Sequence, residues 1–402
     1  ISPAAIKSRD YSLAPMAAVA KEKQQNTQAK LADAKEKQAA SPADAPPSQK
    51  SMSEDDVVAD AMAKTRDGQL SPKAQAKAVS TGRSNMPSDD ERDRMILLGR
   101  AKATTPKPLS YRKAQEAGKA LRAVVQQRQG DGDTLAFRDF TGADLSAMDF
   151  AGADLEGTIF ECCDLSQCSF AGAKLQGASF VGAILDETDY TGAILKGANF
   201  CYALGQLTVF SGSDLSGGVL LQNARLTQAD FSKAVIATAS MIKSDLSCAD
   251  FSEAKISRTT FMKSVLDGCV FNRTTIDTST FMNSSLRRTQ WNACQAERCV
   301  ILNSQMQMAE MHGARLVRCQ IAGDSWLTAA SFDETKFSHC GLRSAKGTGI
   351  SFARSGFESS DLAMTHFPDA DFSNATTSDC LASDSNFREG NFTDAALSST
   401  NF

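Results

Sequence analysis

Histidine and cysteine are the residues of this sequence best able to ligate a metal or carry out catalysis. The histidines are evenly spaced, 27 residues apart, at His312, His339 and His366. Eleven cysteines add thiols for metal, disulfide or nucleophilic chemistry. Any such chemistry requires several of these side chains to meet, so the elements that position them decide what they can do.

A period of five residues dominates the chain after about residue 134. The stretch FTGADLSAMDFAGADLEGTIF places a large apolar residue at Phe140, Leu145, Phe150, Leu155 and Phe160. Five matches neither a helix nor a simple strand. In an extended segment, a central residue and the residue two before it share a face, so both can point inward. The other three residues then turn a corner, which favours small and turn-forming residues.

The repeated unit, xADLS or xANFx, resembles the pentapeptide-repeat family over about two thirds of the chain. This resemblance implies an all-β solenoid, a right-handed quadrilateral β-helix with four pentapeptides in each coil. With adjacent coils about 4.8 Å apart, roughly thirteen coils would make a rod about 60 Å long.

A coil of four units stacks every fourth central residue on one wall. The phase shifts by one residue twice, and we expect a one-residue bulge near Leu220–Leu221 and another between Trp326 and Phe332, with Phe210 and Phe231 on one wall. This count predicts an interior aromatic ladder whose members are Phe150, Phe170, Tyr190, Phe210, Phe231, Phe251, Phe271, Trp291, Phe332, Phe352, Phe372 and Phe392, with Met311 in one rung.

The same count separates the reactive side chains. The three histidines fall on different walls and in different coils. Most cysteines take the small inward position and are expected to be reduced core thiols acting as small hydrophobes; the set is Cys163, Cys168, Cys269, Cys294, Cys299, Cys319, Cys340 and Cys380. Three others, Cys162, Cys201 and Cys248, point outward. We therefore expect no catalytic group, cofactor or metal site, no enzyme activity, and a reducing bacterial cytoplasm.

The region before the repeats is polar and rich in Ala, Lys and Gln. We interpret 1–52 as a disordered linker, 53–133 as short helices and 134–402 as the β-helix. The last helix, near 110–130, should cap the solenoid, with Leu121, Val124 and Val125 over the first coil. Because the sequence begins with Ile1, we expect a fragment of a longer protein, a processed product or a trimmed chain. No apolar run is long enough to span a membrane.

Charge is unevenly distributed. Residues 1–133 hold 23 basic and 17 acidic residues, whereas the whole chain has a net charge of −4. The repeats are acidic over 139–189 and 358–394, with a basic stretch between them. This pattern indicates either a solvated mixed face, interrupted by Asp277 and Glu297, or a contact surface for an acidic partner. The candidate residues are Lys255, Arg258, Arg298, Arg315, Arg318 and Lys336.

These observations favour a non-enzymatic protein–protein interaction scaffold. The layout resembles the C-terminal part of bacterial type VI secretion adaptors that end in pentapeptide repeats, which implies a role in loading or recruiting effectors. One alternative is a DNA mimic that binds a type II topoisomerase, although the basic middle departs from that pattern. A second alternative is a secreted effector acting in a host cell. We expect protein partners and no direct nucleic-acid binding. The C-terminal coil is expected to dock or to self-associate end to end through its open edge.

Overall fold

The computed structural model describes residues 111–401, with side chains from Leu121 onward. The interpretations of 1–52 and of the helices before residue 111 therefore lie outside the described residues. One helix, α1, spans Tyr111–Asp131 and belongs to the same compact unit as the repeats. The strands are β1 Leu204–Gln206, β2 Asp214–Leu215, β3 Arg225–Thr227, β4 Val235–Ala237, β5 Lys255–Ser257, β6 Thr260–Met262, β7 Thr275–Asp277, β8 Thr280–Met282, β9 Gln295–Glu297, β10 Val300–Leu302, β11 Arg315–Val317, β12 Gln320–Ala322, β13 Lys336–Ser338, β14 Gly356–Glu358, β15 Thr376–Ser378 and β16 Ala396–Ser398.

The repeats form an all-β solenoid in which parallel pairing joins residues about twenty apart. Four walls follow one another along each coil. We number them by their first central residues: wall 1 begins with Phe140, wall 2 with Leu145, wall 3 with Phe150 and wall 4 with Leu155. On wall 3, successive parallel bridges run from Asp149 to Asn391 through thirteen rungs. The prediction of a stacked β-helix of pentapeptide units is confirmed.

Three walls carry regular strands. Wall 4 holds ten strands in the order β16-β15-β14-β13-β11-β9-β7-β5-β4-β2. Wall 1 holds β12-β10-β8-β6, and wall 2 holds β1 paired with β3. The wall 1 strands are rich in Thr, Val, Ile and Met, most of which suit a half-buried pleated surface. Wall 3 and the earliest coils are joined by isolated bridges instead.

The first phase shift lies upstream of its predicted place. The extra residue sits in the corner formed by Ser216, Gly217 and Gly218, and the two glycines have φ of 77° and 86°. Leu220 is at the pairing position and Leu221 is the buried central residue. The prediction at Leu220–Leu221 is thus wrong by a few residues, because glycine adopts the left-handed conformation without a side-chain clash and so absorbs the insertion.

The second phase shift also precedes its predicted place. It occupies the corner at Gly323 and Asp324, where Gly323 has φ of 68°. As a result Leu327 is the buried central residue. Trp326 takes the pairing position before it and is 47% exposed. The predicted position between Trp326 and Phe332 is wrong for the same physical reason as the first.

Aromatic rings fill the interior along wall 3. Phe150 and Phe170 stack with ring centroids 4.9 Å apart. Phe210 and Phe231 stack at 4.8 Å across the first phase shift, so both lie on one wall as predicted. Parallel rings in successive coils gain dispersion and exclude water at the same time.

The small inward position also makes hydrogen bonds. The Cys163 thiol donates to the carbonyl oxygen of Phe140 at 2.9 Å, and the Thr188 hydroxyl donates to Leu165 at 2.9 Å. The acceptor is the central residue of the preceding wall, one coil earlier. The interpretation of the inward cysteines as small hydrophobes is therefore incomplete: they are small donors that satisfy corner carbonyls, as Ser and Thr do elsewhere. The same bond recurs at Cys168, Thr208, Cys269, Thr274, Ser284 and Ser304.

Aspartates before central residues stabilise the corners. The Asp149 carboxylate accepts the backbone N–H of Ala151 at 2.9 Å, and Asp164 accepts that of Ser166 at 3.0 Å. These are the backbone bonds expected of Asp at a turn.

Helix α1 lies against the first coil. Val125 is fully buried and Leu121 packs partly against the core. Arg122 donates to the Ser146 carbonyl at 2.9 Å and Gln129 to the Asp149 carbonyl at 2.8 Å. Both bonds satisfy edge carbonyls that no earlier coil could pair. The expectation for Val124 is wrong, because it is 43% exposed and lies on the helix's solvent side.

Candidate functional site

The basic residues singled out from the sequence gather on and beside wall 4. Lys255, Arg315 and Lys336 each precede a central residue and belong to one column of the ten-stranded sheet. Arg315 and Lys336 are direct neighbours in that sheet. Neighbouring positive charges repel each other on the free protein, and an anionic partner would relieve that repulsion.

A second column stands in the corner that follows wall 4. Arg258, Arg298 and Arg318 all have positive φ, of 49°, 53° and 53°. This left-handed backbone holds their exposed side chains at the corner between walls 4 and 1. We define the basic strip as these three arginines and the three residues of the first column. It covers part of wall 4 and the corner between walls 4 and 1.

Arg298 is neutralised within the strip. Its guanidinium contacts Asp277 at 2.7 Å and Glu297 at 2.5 Å. The two acidic residues that interrupt the basic sequence therefore both form ion pairs with one arginine. The other five cations make no ion pair with a residue of the described range. Their role in binding stays a prediction.

The histidines lie apart. His312 on wall 3 lies 3.5 Å from Glu334, and His339 in the corner after wall 4 hydrogen-bonds Ser338 at 3.0 Å. His366 on wall 2 hydrogen-bonds Asn386 at 3.1 Å. Their even spacing in sequence does not bring them together, because 27 is not a multiple of the coil length.

The thiols at the inward positions are buried and packed in the core. Burial raises the pKa of the Cys163 and Cys269 thiols, and raises that of Cys168 to about 12. A thiol held neutral in this way is a poor nucleophile. Within residues 111–401, no cluster of three or more His, Cys, Asp or Glu side chains has the geometry of a metal site.

A small cavity interrupts the interior where Ala296 takes the central position of wall 4. Its volume is about 20 Å³, and it is bordered by Trp291, Cys294, Cys299 and Met311. That volume is on the order of one water molecule, so the cavity has no room for a substrate.

Sequence analysis missed an outward apolar column on wall 1. The residue after each central position reads Ile242, Met262, Met282, Leu302 and Ala322 in five successive coils. All five are half-buried. The signal was present as an apolar residue at every twentieth position, but a search for central residues does not inspect the position that follows them.

The last coil of the described range is the least covered. Leu397, its central residue on wall 4, is 42% exposed, and β16 pairs on one side only with β15. Docking or self-association through this coil stays a prediction. No helix in 111–401 has the length and apolar character to cross a membrane.

Comparison with known proteins identifies the repeat. A family model described as Pentapeptide repeats matches residues 139–177, 163–200 and 244–283. No curated protein matches the chain.

Solved structures with similar folds include three repeat proteins. HetL, a pentapeptide repeat protein involved in heterocyst differentiation regulation from the cyanobacterium Nostoc sp. strain PCC 7120, is 16% identical, with 68% of this chain and 92% of that chain covered and a TM-score of 0.19. QnrB1, a plasmid-mediated fluoroquinolone resistance protein, is 18% identical, with 53% and 89% covered and a TM-score of 0.29. A pentapeptide repeat protein from the Arabidopsis thaliana thylakoid lumen is 27% identical, with 28% and 63% covered and a TM-score of 0.12. All three TM-scores are low, so the identification of the repeat rests on the family model over the matched residues and on the coil geometry.

Proposed function

Because the chain carries a pentapeptide-repeat solenoid, we propose that it is a non-enzymatic scaffold that binds an acidic protein partner along the basic strip. The fold is generally a non-catalytic interaction scaffold, built as a rigid stack whose outward residues vary freely over a fixed core. The observation that carries the proposal is the set of five cations on and beside wall 4 that make no ion pair within residues 111–401.

The first column of the strip runs over several coils. From Lys255 to Lys336 the column crosses four coil spacings, or about 19 Å at about 4.8 Å each. Charge of one sign along such a length raises association rates and selects against like-charged partners. The same strip opposes DNA mimicry, since a mimic needs an acidic surface where this wall is basic.

Photo-crosslinking in the source cells tests the proposal. A crosslinking residue replaces Thr275, exposed on wall 4, or Gln290, exposed on wall 3. We expect a defined protein adduct at position 275 and none at 290. The triple variant Lys255→Glu, Arg315→Glu, Lys336→Glu should abolish the adduct.

A matched triple variant controls for net charge. Arg225→Glu, Arg287→Glu and Arg288→Glu reverse three exposed charges on wall 2 and in the corner that follows it. The adduct at position 275 should survive this change. Equal adducts on both walls, or an adduct indifferent to the wall 4 triple, would show that the strip is an ordinary solvated face.

The specific form that we propose is an adaptor that recruits effectors to a bacterial type VI secretion system from the cytoplasm. Its support is the sequence layout, in which a polar region of 133 residues precedes the repeats. The corresponding test is effector secretion by bacteria that carry the wall 4 triple variant in place of the parent. If the triple variant loses the crosslink but effector secretion is undiminished, the scaffold proposal stands and the adaptor role is rejected.

A further inference from the structure

We propose that wall 1, between Ser240 and Ala322, is a docking groove for an amphipathic helix with acidic flanks supplied by a partner protein. The groove lies beside the basic strip and shares its corner arginines, so the inference extends the proposed function to a second wall and names the partner's chemistry.

The apolar column supplies the floor of the groove. Met262 pairs in register with Met282, and Met282 with Leu302. Polar residues bound the column at both ends, since Gln222 precedes Ile242 and Arg343 follows Ala322 on the same wall. The apolar length is therefore four coil spacings, about 19 Å. A helix of about thirteen residues covers that length.

The spacing of the column matches a helix. Successive coils present their side chains about 4.8 Å apart. Helical residues three and four positions apart present theirs at about 5–6 Å. One apolar stripe of a helix can therefore meet one residue in each coil. Methionine, which fills two of the five positions, adapts its shape to a partner better than a branched side chain does.

Basic residues border the groove on both sides. Lys243 and Lys263 follow the apolar column in the corner towards wall 2. Arg258 and Arg318 stand in the opposite corner, exposed and without an ion pair to any described residue. The outward positions of wall 1 from 240 to 322 carry no acidic residue, and Asp324 in the corner that follows is paired with Lys346 at 2.8 Å. An occupant with carboxylates on both flanks of its apolar stripe would be complementary.

The same wall is already closed from solvent in earlier coils. Val181 and Cys201 occupy the equivalent outward column and are 0% exposed, as is Ile159 beside it. Ile242 and Met262 in the later coils remain half-buried. The outward face of wall 1 therefore accepts close packing, and its middle part keeps the same apolar character without the same burial.

A lipid bilayer would fit this surface poorly. The apolar column is one residue wide except at Val300, with Ser240, Thr260 and Thr280 on one side and lysines on the other. Membrane-binding surfaces instead bury a broad apolar face with protruding side chains. The geometry suits the single ridge of a helix.

Fluorescence anisotropy on the purified full chain tests the groove. The probe is a labelled synthetic 15-residue peptide with Leu on one helical stripe and Glu on both flanks. Two control peptides replace every Glu by Lys, or every Leu by Ser. We expect binding of the Leu/Glu peptide alone, weakened by salt.

Paired variants locate the binding site. Met262→Ser with Met282→Ser should weaken binding by about tenfold or more, because two apolar contacts are lost. Val235→Ser with Val265→Ser, which change exposed valines on walls 4 and 2, should leave it unchanged. Lys243→Glu with Lys263→Glu should weaken the Leu/Glu peptide and improve the Leu/Lys peptide.

The proposal is overturned by the absence of peptide binding, by equal loss in both serine pairs, or by stronger binding to vesicles of anionic phospholipid than to the peptide. Circular dichroism on every variant shows whether the solenoid is intact, and both serine pairs change only outward side chains. If the peptide fails to bind while the wall 4 crosslink persists, only this inference is lost. If no crosslink forms on wall 4 while the peptide binds, the proposal of a wall 4 contact is rejected and the proposal of a groove on wall 1 stands.

Discussion

The coils around Phe170 and the coils around Ala296 share a period but differ inside. In the first region, wall 1 and wall 3 are both aromatic, and Phe170 stacks on Phe150 while meeting Phe160 edge to face at 5.7 Å. In the second, Met311 and Ala296 replace larger residues and a cavity of about 20 Å³ remains. The solenoid therefore tolerates loose packing in one coil, because each coil contacts mainly its neighbours.

The outer surfaces of the two regions differ as well. Wall 1 is buried at Val181 and Cys201 but half-buried at Met262 and Met282. The earlier coils are acidic, and the later ones carry the basic strip. The two regions therefore differ in both respects: the earlier coils are more tightly packed, and the later coils carry the basic strip and the outward apolar column.

The largest effect is expected from a charge inside the aromatic ladder. Phe271→Asp buries a carboxylate between Phe251 and Trp291, which stack on Phe271 at 4.9 and 4.2 Å. We expect a loss of more than about 4 kcal/mol, measured by chemical unfolding. The control Asn272→Asp changes the next, outward residue and should keep the parent's stability. Similar midpoints for the two variants would contradict the interior assignment of the ladder.

Filling the cavity should stabilise the looser region. Ala296→Val adds two methyl groups between Ile276 and Leu316, which flank Ala296 in the sheet. We expect a gain of about 1 kcal/mol in the free energy of unfolding. The same change at the fully buried Ala254 should instead destabilise by about 1–3 kcal/mol, because its surroundings are full. A loss at both sites would mean that the two regions pack equally well.

The tightly packed region contains three buried polar atoms without a hydrogen-bond partner among the described residues, on Gln176, Ser179 and Tyr190. The Tyr190 hydroxyl is buried without a hydrogen-bond partner among the described residues. Tyr190→Phe should therefore stabilise the chain by about 1 kcal/mol, and the reverse change Phe170→Tyr should destabilise it by a similar amount. Thermal melts of both variants check this. A less stable Tyr190→Phe variant would show that the hydroxyl is satisfied after all.

The smallest effect concerns a carboxylate near the first phase shift. Partial burial raises the pKa of Asp214, but hydrogen bonds from Ser216 and the nearby Lys196 outweigh it and hold that pKa below its ordinary value. A depressed folded-state pKa contributes stability above the unfolded pKa of about 3.9, and that contribution is lost as pH falls through the folded value.

The expected difference between Asp214→Asn and the parent is less than about 1 kcal/mol, since the side chain is partly exposed. It should be present at pH 7 and vanish in acid below the folded pKa. Melting temperatures of both proteins across that range measure it. A difference that persists unchanged into acid would assign it to packing rather than charge.

Much of the fold follows from local chemistry that can be read along the chain. A large apolar residue at every fifth position, with a small residue two before it, defines which side chains enter the tube. Four such units in a coil then place Phe150 above Phe170. The turn-forming role of Asp149 needs only its own N–H neighbour two residues on.

The positions of the phase shifts were decided by backbone conformation rather than by side-chain pattern. Gly217, Gly218 and Gly323 take the left-handed conformation and absorb the extra residues before the next central position. A reading of apolar residues alone registers the shift only after it has happened, which is why both predicted positions were late.

The sequence by itself determined the period, the four walls, the aromatic ladder and the separation of the histidines, because these depend on alternation and counting. Only the tertiary structure decided that inward thiols bond carbonyls 23 residues earlier, that Asp277 and Glu297 neutralise Arg298, and that wall 1 is buried at Val181 but half-buried at Met282. These features depend on contacts between coils and on the side-chain directions that stacking imposes. A linear pattern fixes which residues share a wall, whereas the charge that remains free on that wall depends on three-dimensional neighbours.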